Sequence, residues 1–312
     1  MIILFWAVCI ILLLVLIVTI VSYICFRHAF YVKDSDKLYS SDKAIPEGDI
    51  YIPWREQMLA WIEETRQMPC QQFQIQSFDG LTLQGKYYEY APGAPIELLF
   101  HGYRGYAERD LCGAVQRCFA LGHNAFLVDQ RASGSSGGNV ITFGVNESKD
   151  CLDWLSFVIN HFGPEVKVIL CGMSMGASTV LNATGSPLPK NVIGVLADCG
   201  FSSASAIIKK VIGEMGLPAD LAYLFVKLGA RIFGGFDPDA IASESAVANC
   251  NVPVIFFHGE DDAYVPCEMS RTNYNACQSR KALITVPGAG HGLSYLVAPE
   301  QYLQALRDFF SE

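Results

Sequence analysis

Five residues, Gly172-Met173-Ser174-Met175-Gly176, limit what this chain can fold into more than any other stretch. The apolar run before them, residues 166–171, predicts a buried strand, and residues 177–183 after them predict the first turns of a helix. A serine held between a strand and a helix, with a glycine two places to either side, has the pattern of a nucleophile elbow. A side chain at either glycine position would collide with the neighbouring strand or helix. Such a turn holds a hydroxyl in the open at the top of a sheet. It also sets it near a helix N-terminus, where backbone N–H groups favour developing negative charge.

The order of the remaining elements agrees with that turn. Short apolar strands are predicted at 96–100, 124–128, 192–197, 252–257 and 282–286, with helical patterns at 111–121, 147–161, 174–184, 268–277 and 299–309. Residues 73–76 alternate, and an Asp79-Gly80 turn predicts a hairpin into 81–83. Continuous apolar strands alternating with helices imply an α/β fold with a mostly parallel, doubly wound sheet. Functional residues of such sheets gather at the carboxyl ends of the strands. His101, Asp129, Ser174, Asp198, His258 and His291 all stand at or just beyond a predicted strand end. Residues 201–248 interrupt the alternation with apolar positions at helical spacing. They are read as two or three helices forming a small cap over the strand ends, roofing an apolar acyl pocket.

The N-terminus is of another kind. From Ile2 to Phe26 no residue is charged, a run long enough to span a bilayer as a helix. No basic residue precedes it, and bulky Tyr23, Phe26 and Phe30 stand where a signal peptidase would need small residues, so a retained single-pass anchor is expected over a cleaved signal. Arg27, Lys33, Lys37 and Lys43 follow the run, which places the rest of the chain on the cytoplasmic side by the positive-inside rule. The expected organisation is an anchor at 1–26, a linker and amphipathic helix at 27–69, and a catalytic domain at 70–312. Met58, Trp61, Ile62 and Thr65 mark one side of that amphipathic helix, and the stretch at 33–47 is read as polar linker.

The 11 cysteines form no C-x-x-C pair and no zinc spacing, so they are read as reduced thiols, and no metal or other cofactor is expected. A net charge of −9 without a basic stripe excludes nucleic acid as an expected partner.

A serine hydroxyl needs a base, and the base needs an acid to fix its tautomer. Among six histidines, His291 stands in a run of small residues after the last strand and is the expected base. His101 and His258 are expected to brace their own loops. Asp262 is the expected acid; Asp261 and Asp198 remain the other candidates, and Asp129 is read as bracing the turn after it. The expected oxyanion donors are the backbone N–H groups of Met175, directly after the serine, and Tyr103, in the Gly-rich loop after the strand at 96–100.

These motifs resemble the α/β-hydrolase superfamily: His101-Gly102-Tyr103-Arg104-Gly105, the elbow at Ser174, and His258-Gly259-Glu260-Asp261-Asp262 with Gly290-His291. The run from Asp129 to Gly137 is similar to a turn of the serine-aminopeptidase and lysophospholipase-like branch, with Ala132 in place of a glycine common there. The resemblance covers roughly residue 70 onward. It implies a metal-free serine hydrolase working through an acyl-enzyme, here on carboxylic esters of a small-molecule or lipid-like kind. The alternatives carried forward are an acyl-thioesterase or lysophospholipase, a serine aminopeptidase, and a non-catalytic ligand-binding relative.

Overall fold

The computed structural model describes residues 1–34 and 45–311. Residues 35–44, most of the expected polar linker, lie outside them.

Eight strands form one sheet: β1 (Gln71–Gln76), β2 (Thr82–Tyr88), β3 (Ile96–Phe100), β4 (Asn124–Asp129), β5 (Val168–Met173), β6 (Val192–Asp198), β7 (Val254–Gly259) and β8 (Lys281–Val286). Their order across the sheet is β1-β2-β4-β3-β5-β6-β7-β8. Only the β1–β2 and β2–β4 pairings are antiparallel; the rest are parallel. The chain is therefore an α/β-hydrolase fold.

The helices are α1 (Ile2–Ala29), α2 (Arg55–Gln67), the short α3 (Ala107–Asp110), α4 (Ala114–Ala120), α5 (Glu147–Phe162), α6 (Met175–Ala183), α7 (Ala204–Glu214), α8 (Ala219–Gly229), α9 (Ser243–Val247), α10 (Cys267–Ala276), α11 (Ser294–Val297) and α12 (Pro299–Ser311).

Every residue of β3, β4 and β7 is buried, as expected for strands covered on both faces. Successive side chains alternate between two cores. Leu98 and Phe100 pack with Phe126, Trp154 and Val180 on the α5–α6 face, while Leu99 packs with Cys118, Leu127, Phe257 and Leu306 on the α4–α12 face. Glu97 brings a carboxylate into β3. It is buried within the sheet and satisfied by Arg117 at 2.5 Å and His123 at 2.9 Å.

Of the segment read as a cap, residues 201–248, the short α9 is the last helix; the rest is α7 and α8, with a wide turn at Ala230–Gly234. Their apolar residues share a core with Phe143, Met175 and Phe201 over the strand ends. That core also takes in Phe26, Phe30 and Val32, residues just at and beyond the expected membrane exit. α1 runs on to Ala29, and the chain then pairs with the loop after β4. Val32 N–H donates to Asn139 O (2.8 Å), and Ile141 N–H to Phe30 O (2.8 Å). The stretch at 27–34 is thus docked on the domain rather than extended away from it. Its aromatic residues gain as much by packing on protein as by facing lipid.

α1 is, by length and composition, the one helix among the described residues able to cross a membrane.

Candidate active site

Ser174 has φ +56° and ψ −119°, a backbone conformation that side chains rarely adopt, and the two flanking glycines explain how the chain tolerates it. A Cβ at Gly172 would fall 2.1 Å from Gly176 O; one at Gly176 would fall 2.0 Å from Phe100 O. The backbone of Ser174 is pinned from β6, its N–H donating to Asp198 O at 2.8 Å.

The Ser174 Oγ is 2.9 Å from His291 Nε2, and His291 Nδ1 is 2.7 Å from Asp262 Oδ2. Asp262 Oδ1 accepts the backbone N–H groups of Tyr264 and Val265, each at 2.8 Å. With Asp262 ionised, His291 Nδ1 carries the proton and Nε2 offers its lone pair to the serine hydroxyl. Burial works to raise the Asp262 pKa. Hydrogen bonds from His258 and His291, the His291 charge and the Val265 N–H outweigh it, so the carboxyl is held well below its ordinary range.

The loops bearing Asp262 and His291 are locked together. Glu260 N–H donates to Val286 O and Asp261 N–H to Ala289 O, both at 3.0 Å. Gly259 permits that approach, since a Cβ there would fall 2.2 Å from Ala289 O.

The other acidic candidates are engaged elsewhere. Asp261 is exposed. Asp198 is buried, accepting from Tyr302 OH (3.0 Å) and Ser294 Oγ (3.3 Å), and burial raises its pKa against those bonds and the nearby His258 charge. Asp129 accepts the N–H groups of Ala107 and Ser135, both at 3.0 Å, bracing two turns. In the second of these turns Ala132 stands at φ +59°, a glycine-type conformation that the alanine nevertheless adopts. His101 bonds to Gly102 O and the Gln130 N–H, and His258 to Ser270 Oγ and Val265 O.

The loop after β3 lies directly beside the serine: a Cβ at Gly102 would be 3.5 Å from Ser174 Cβ. Asp110 holds this loop by accepting Gly102 N–H at 3.1 Å, a contact the sequence reading did not anticipate. Tyr103 and Met175 follow Gly102 and Ser174 directly in the chain. The Tyr103 ring packs against Phe143, and its OH donates to Ala29 O at 2.7 Å. Arg104 donates to His28 O at 2.7 Å. Two carbonyls at the C-terminal end of α1, of the kind a helix leaves unpaired, are thus satisfied by this loop.

Three further features escaped the sequence reading. Tyr51, in a short 3₁₀ turn within the expected linker, donates its OH to His291 O at 3.1 Å. Exposed Tyr264 lays its ring 5.5 Å from that of His291. A cavity of about 70 Å³ borders His291, Asp198, Tyr51 and Tyr302, on the Met173–Gly292 side of the base rather than beneath the cap, where the acyl pocket was expected.

Cys199, Asp262 and His291 bring ligand-type atoms within 4.8 Å of one another. A thiol must ionise to hold a metal. Burial, with the Asp198 and Asp262 charges, keeps the Cys199 thiol far above its usual pKa, and the other two groups are bonded to each other. Asp262 and His291 are thus already engaged with each other as hydrogen-bond partners.

The sequence profile described as "Alpha/beta hydrolase family" matches residues 98–305. The chain is 27% identical over 194 residues to the uncharacterized protein YqkD of Bacillus subtilis, spanning 61% of this chain and only 62% of that relative's length. It is 24% identical over 223 residues to protein bem46 of Schizosaccharomyces pombe, covering 70% of this chain and 68% of that protein. In fold it is similar to an esterase of Pyrococcus furiosus, with a TM-score of 0.63, 21% identity, and coverage of 80% of this chain and 94% of that one.

Proposed function

The chain belongs to the alpha/beta hydrolase family, and from that premise we propose that it is a serine hydrolase cleaving carboxylic esters through an acyl-enzyme, with Ser174 as nucleophile, His291 as base and Asp262 as the acid. The observation that carries this reading is the unbroken relay from Ser174 Oγ through both ring nitrogens of His291 to Asp262.

In the first half-reaction Ser174 Oγ attacks the acyl carbonyl while His291 Nε2 takes its proton. The backbone N–H groups of Met175 and Tyr103 hold the oxyanion. As the tetrahedral intermediate collapses, the C–O bond to the alcohol breaks and His291 returns the proton to the departing oxygen. Water then repeats the sequence on the acyl-enzyme, releasing the acid and restoring the serine. Asp262 keeps the imidazole in the required tautomer and stabilises the imidazolium.

A thioesterase or lysophospholipase would use the same atoms. A peptidase would need a side chain free to read a charged terminus. The charged residues of the loop and short helix after β3, Arg104, Glu108 and Arg109, are taken up by His28 O, by Lys86 and Arg66, and by Asp110. That engagement favours esters.

We further read α1 as a retained membrane helix. The support is the burial of Ser22, Phe26 and Phe30 against the domain, which cleavage beyond these residues would remove. Arg27 and Lys33 beyond the run favour a cytoplasmic domain.

The test is a panel of p-nitrophenyl esters of increasing acyl length beside acyl-thioesters and aminoacyl-anilides. Ester turnover abolished by Ser174→Ala is expected; turnover confined to the anilides would overturn the esterase reading.

A further inference from the structure

Leu217, Leu221, Leu224 and Ile232 recur at helical intervals along one side of α8 and the turn after it. They face outward: Leu221 is 56% exposed, Leu224 62% and Ile232 54%, and Met215 at the end of α7 is 66% exposed. The opposite side of α8, with Tyr223 and Val226, already fills the cap core. Such an outward apolar stripe is the reverse of a water-facing helix surface.

The stripe adjoins α1. The Gly229 backbone lies so close to α1 that a Cβ there would fall 2.2 Å from Ser22 O, the small-residue approach of helices packed in lipid. Phe233 sets its ring 5.0 Å from that of Tyr23 and 6.0 Å from that of Phe26. The charges beside the stripe are paired with one another, Lys209 with Asp220 at 2.8 Å, Lys227 with Asp239 at 2.6 Å and Arg231 with Asp237.

We propose that the outer face of α8 continues the lipid-facing surface of α1, lying in the interfacial layer of the bilayer that α1 crosses, and that the site draws its esters from membrane lipids. This rests on the reading of α1 as a retained membrane helix, and its substrate half on the esterase reading. The tie from Tyr103 OH to Ala29 O sets the loop beside Ser174 at the end of that helix, hence at the membrane surface. An amphipathic helix there reaches about 5–10 Å into the headgroup–acyl boundary.

The experiment uses the full chain in phosphatidylcholine vesicles, with and without lipids brominated on the acyl chains, in a Trp6→Phe background. A tryptophan placed by Leu224→Trp should be quenched by about a third or more relative to that background. One placed by Lys190→Trp, on an exposed loop before β6, should not be quenched. No added quenching at the first site, or equal quenching at both, overturns the docking. This readout needs no catalysis, and intact mass of the membrane-bound chain checks retention of α1 separately. For the substrate half, Leu221→Glu with Leu224→Glu should lower the rate on a vesicle-embedded ester at least tenfold relative to a soluble one. An unchanged ratio overturns that half, whereas a parent protein inert on both esters is a failure of the esterase reading instead.

Discussion

The hydroxyl of Tyr103 donates to the carbonyl oxygen of Ala29 at 2.7 Å, joining the loop beside Ser174 to the last turn of the apolar N-terminal helix. The proposed oxyanion donor of this loop is a backbone N–H, which Tyr103→Phe retains. The substitution leaves the Ala29 carbonyl without that donor, a loss of about 1 kcal/mol. Melting should fall by about 2 °C, and kcat on a soluble ester by less than about tenfold. A thermal melt and steady-state kinetics on the same preparation check both.

The elbow depends on absent side chains. Gly176→Ala drives a methyl to 2.0 Å from Phe100 O, and Gly172→Ala drives one to 2.1 Å from Gly176 O. Neither neighbour is a flexible side-chain end, so each variant should lose about 3 kcal/mol or more of stability. Gly213→Ala is the control. That residue sits in α7 with nothing within 4 Å of an added Cβ, and the change should stabilise by about 0.5–1 kcal/mol. Denaturant midpoints of the three variants measure the contrast.

Glu97 and Arg117 are both buried and pair at 2.5 Å beneath the sheet face. Burial opposes ionisation of Glu97, but Arg117 and His123 hold its pKa down to about 2. Glu97→Ala leaves a buried guanidinium without its counter-charge and should cost about 3–5 kcal/mol. A chemical denaturation curve tests it, and a loss below about 1 kcal/mol would contradict the assignment.

Asp262 is more acidic folded than unfolded. The unfolded chain therefore binds the extra proton in acid, and the stability this carboxylate contributes is complete above its unfolded pKa of about 3.9. It is lost as pH falls through the lower, folded value. The difference in melting temperature between the parent and Asp262→Asn should be widest above about pH 5 and should begin to shrink only below about pH 4, closing as pH falls to the folded value. At neutral pH the same variant should lower kcat by about 10²–10⁴-fold through loss of the required tautomer.

The strand–helix order and the elbow were legible in the sequence because glycine spacing and strand periodicity are local signals. Which carboxylate meets His291 was less so. Asp261 and Asp262 are adjacent, and the turn closed by Asp262 N–H to Gly259 O decides which one faces inward. The sequence reads 27–69 as linker and amphipathic helix, and within it Tyr51 bonds to His291 and Trp61 stacks on Tyr295. These partners are more than 200 residues away, and no local pattern encodes them. Phe26, Phe30 and Val32 were ambiguous for another reason. Apolar character at a membrane exit reads the same whether the side chain faces lipid or packs on protein.

The central claim is that the Ser174 hydroxyl is activated by His291. A fluorophosphonate probe measures this directly, because it captures a serine only when its oxygen is made nucleophilic. Mass spectrometry of the labelled chain should find one adduct, on Ser174, absent from Ser174→Ala and strongly reduced in His291→Ala. An unlabelled parent protein, or equal labelling of Ser174→Ala, would contradict the account.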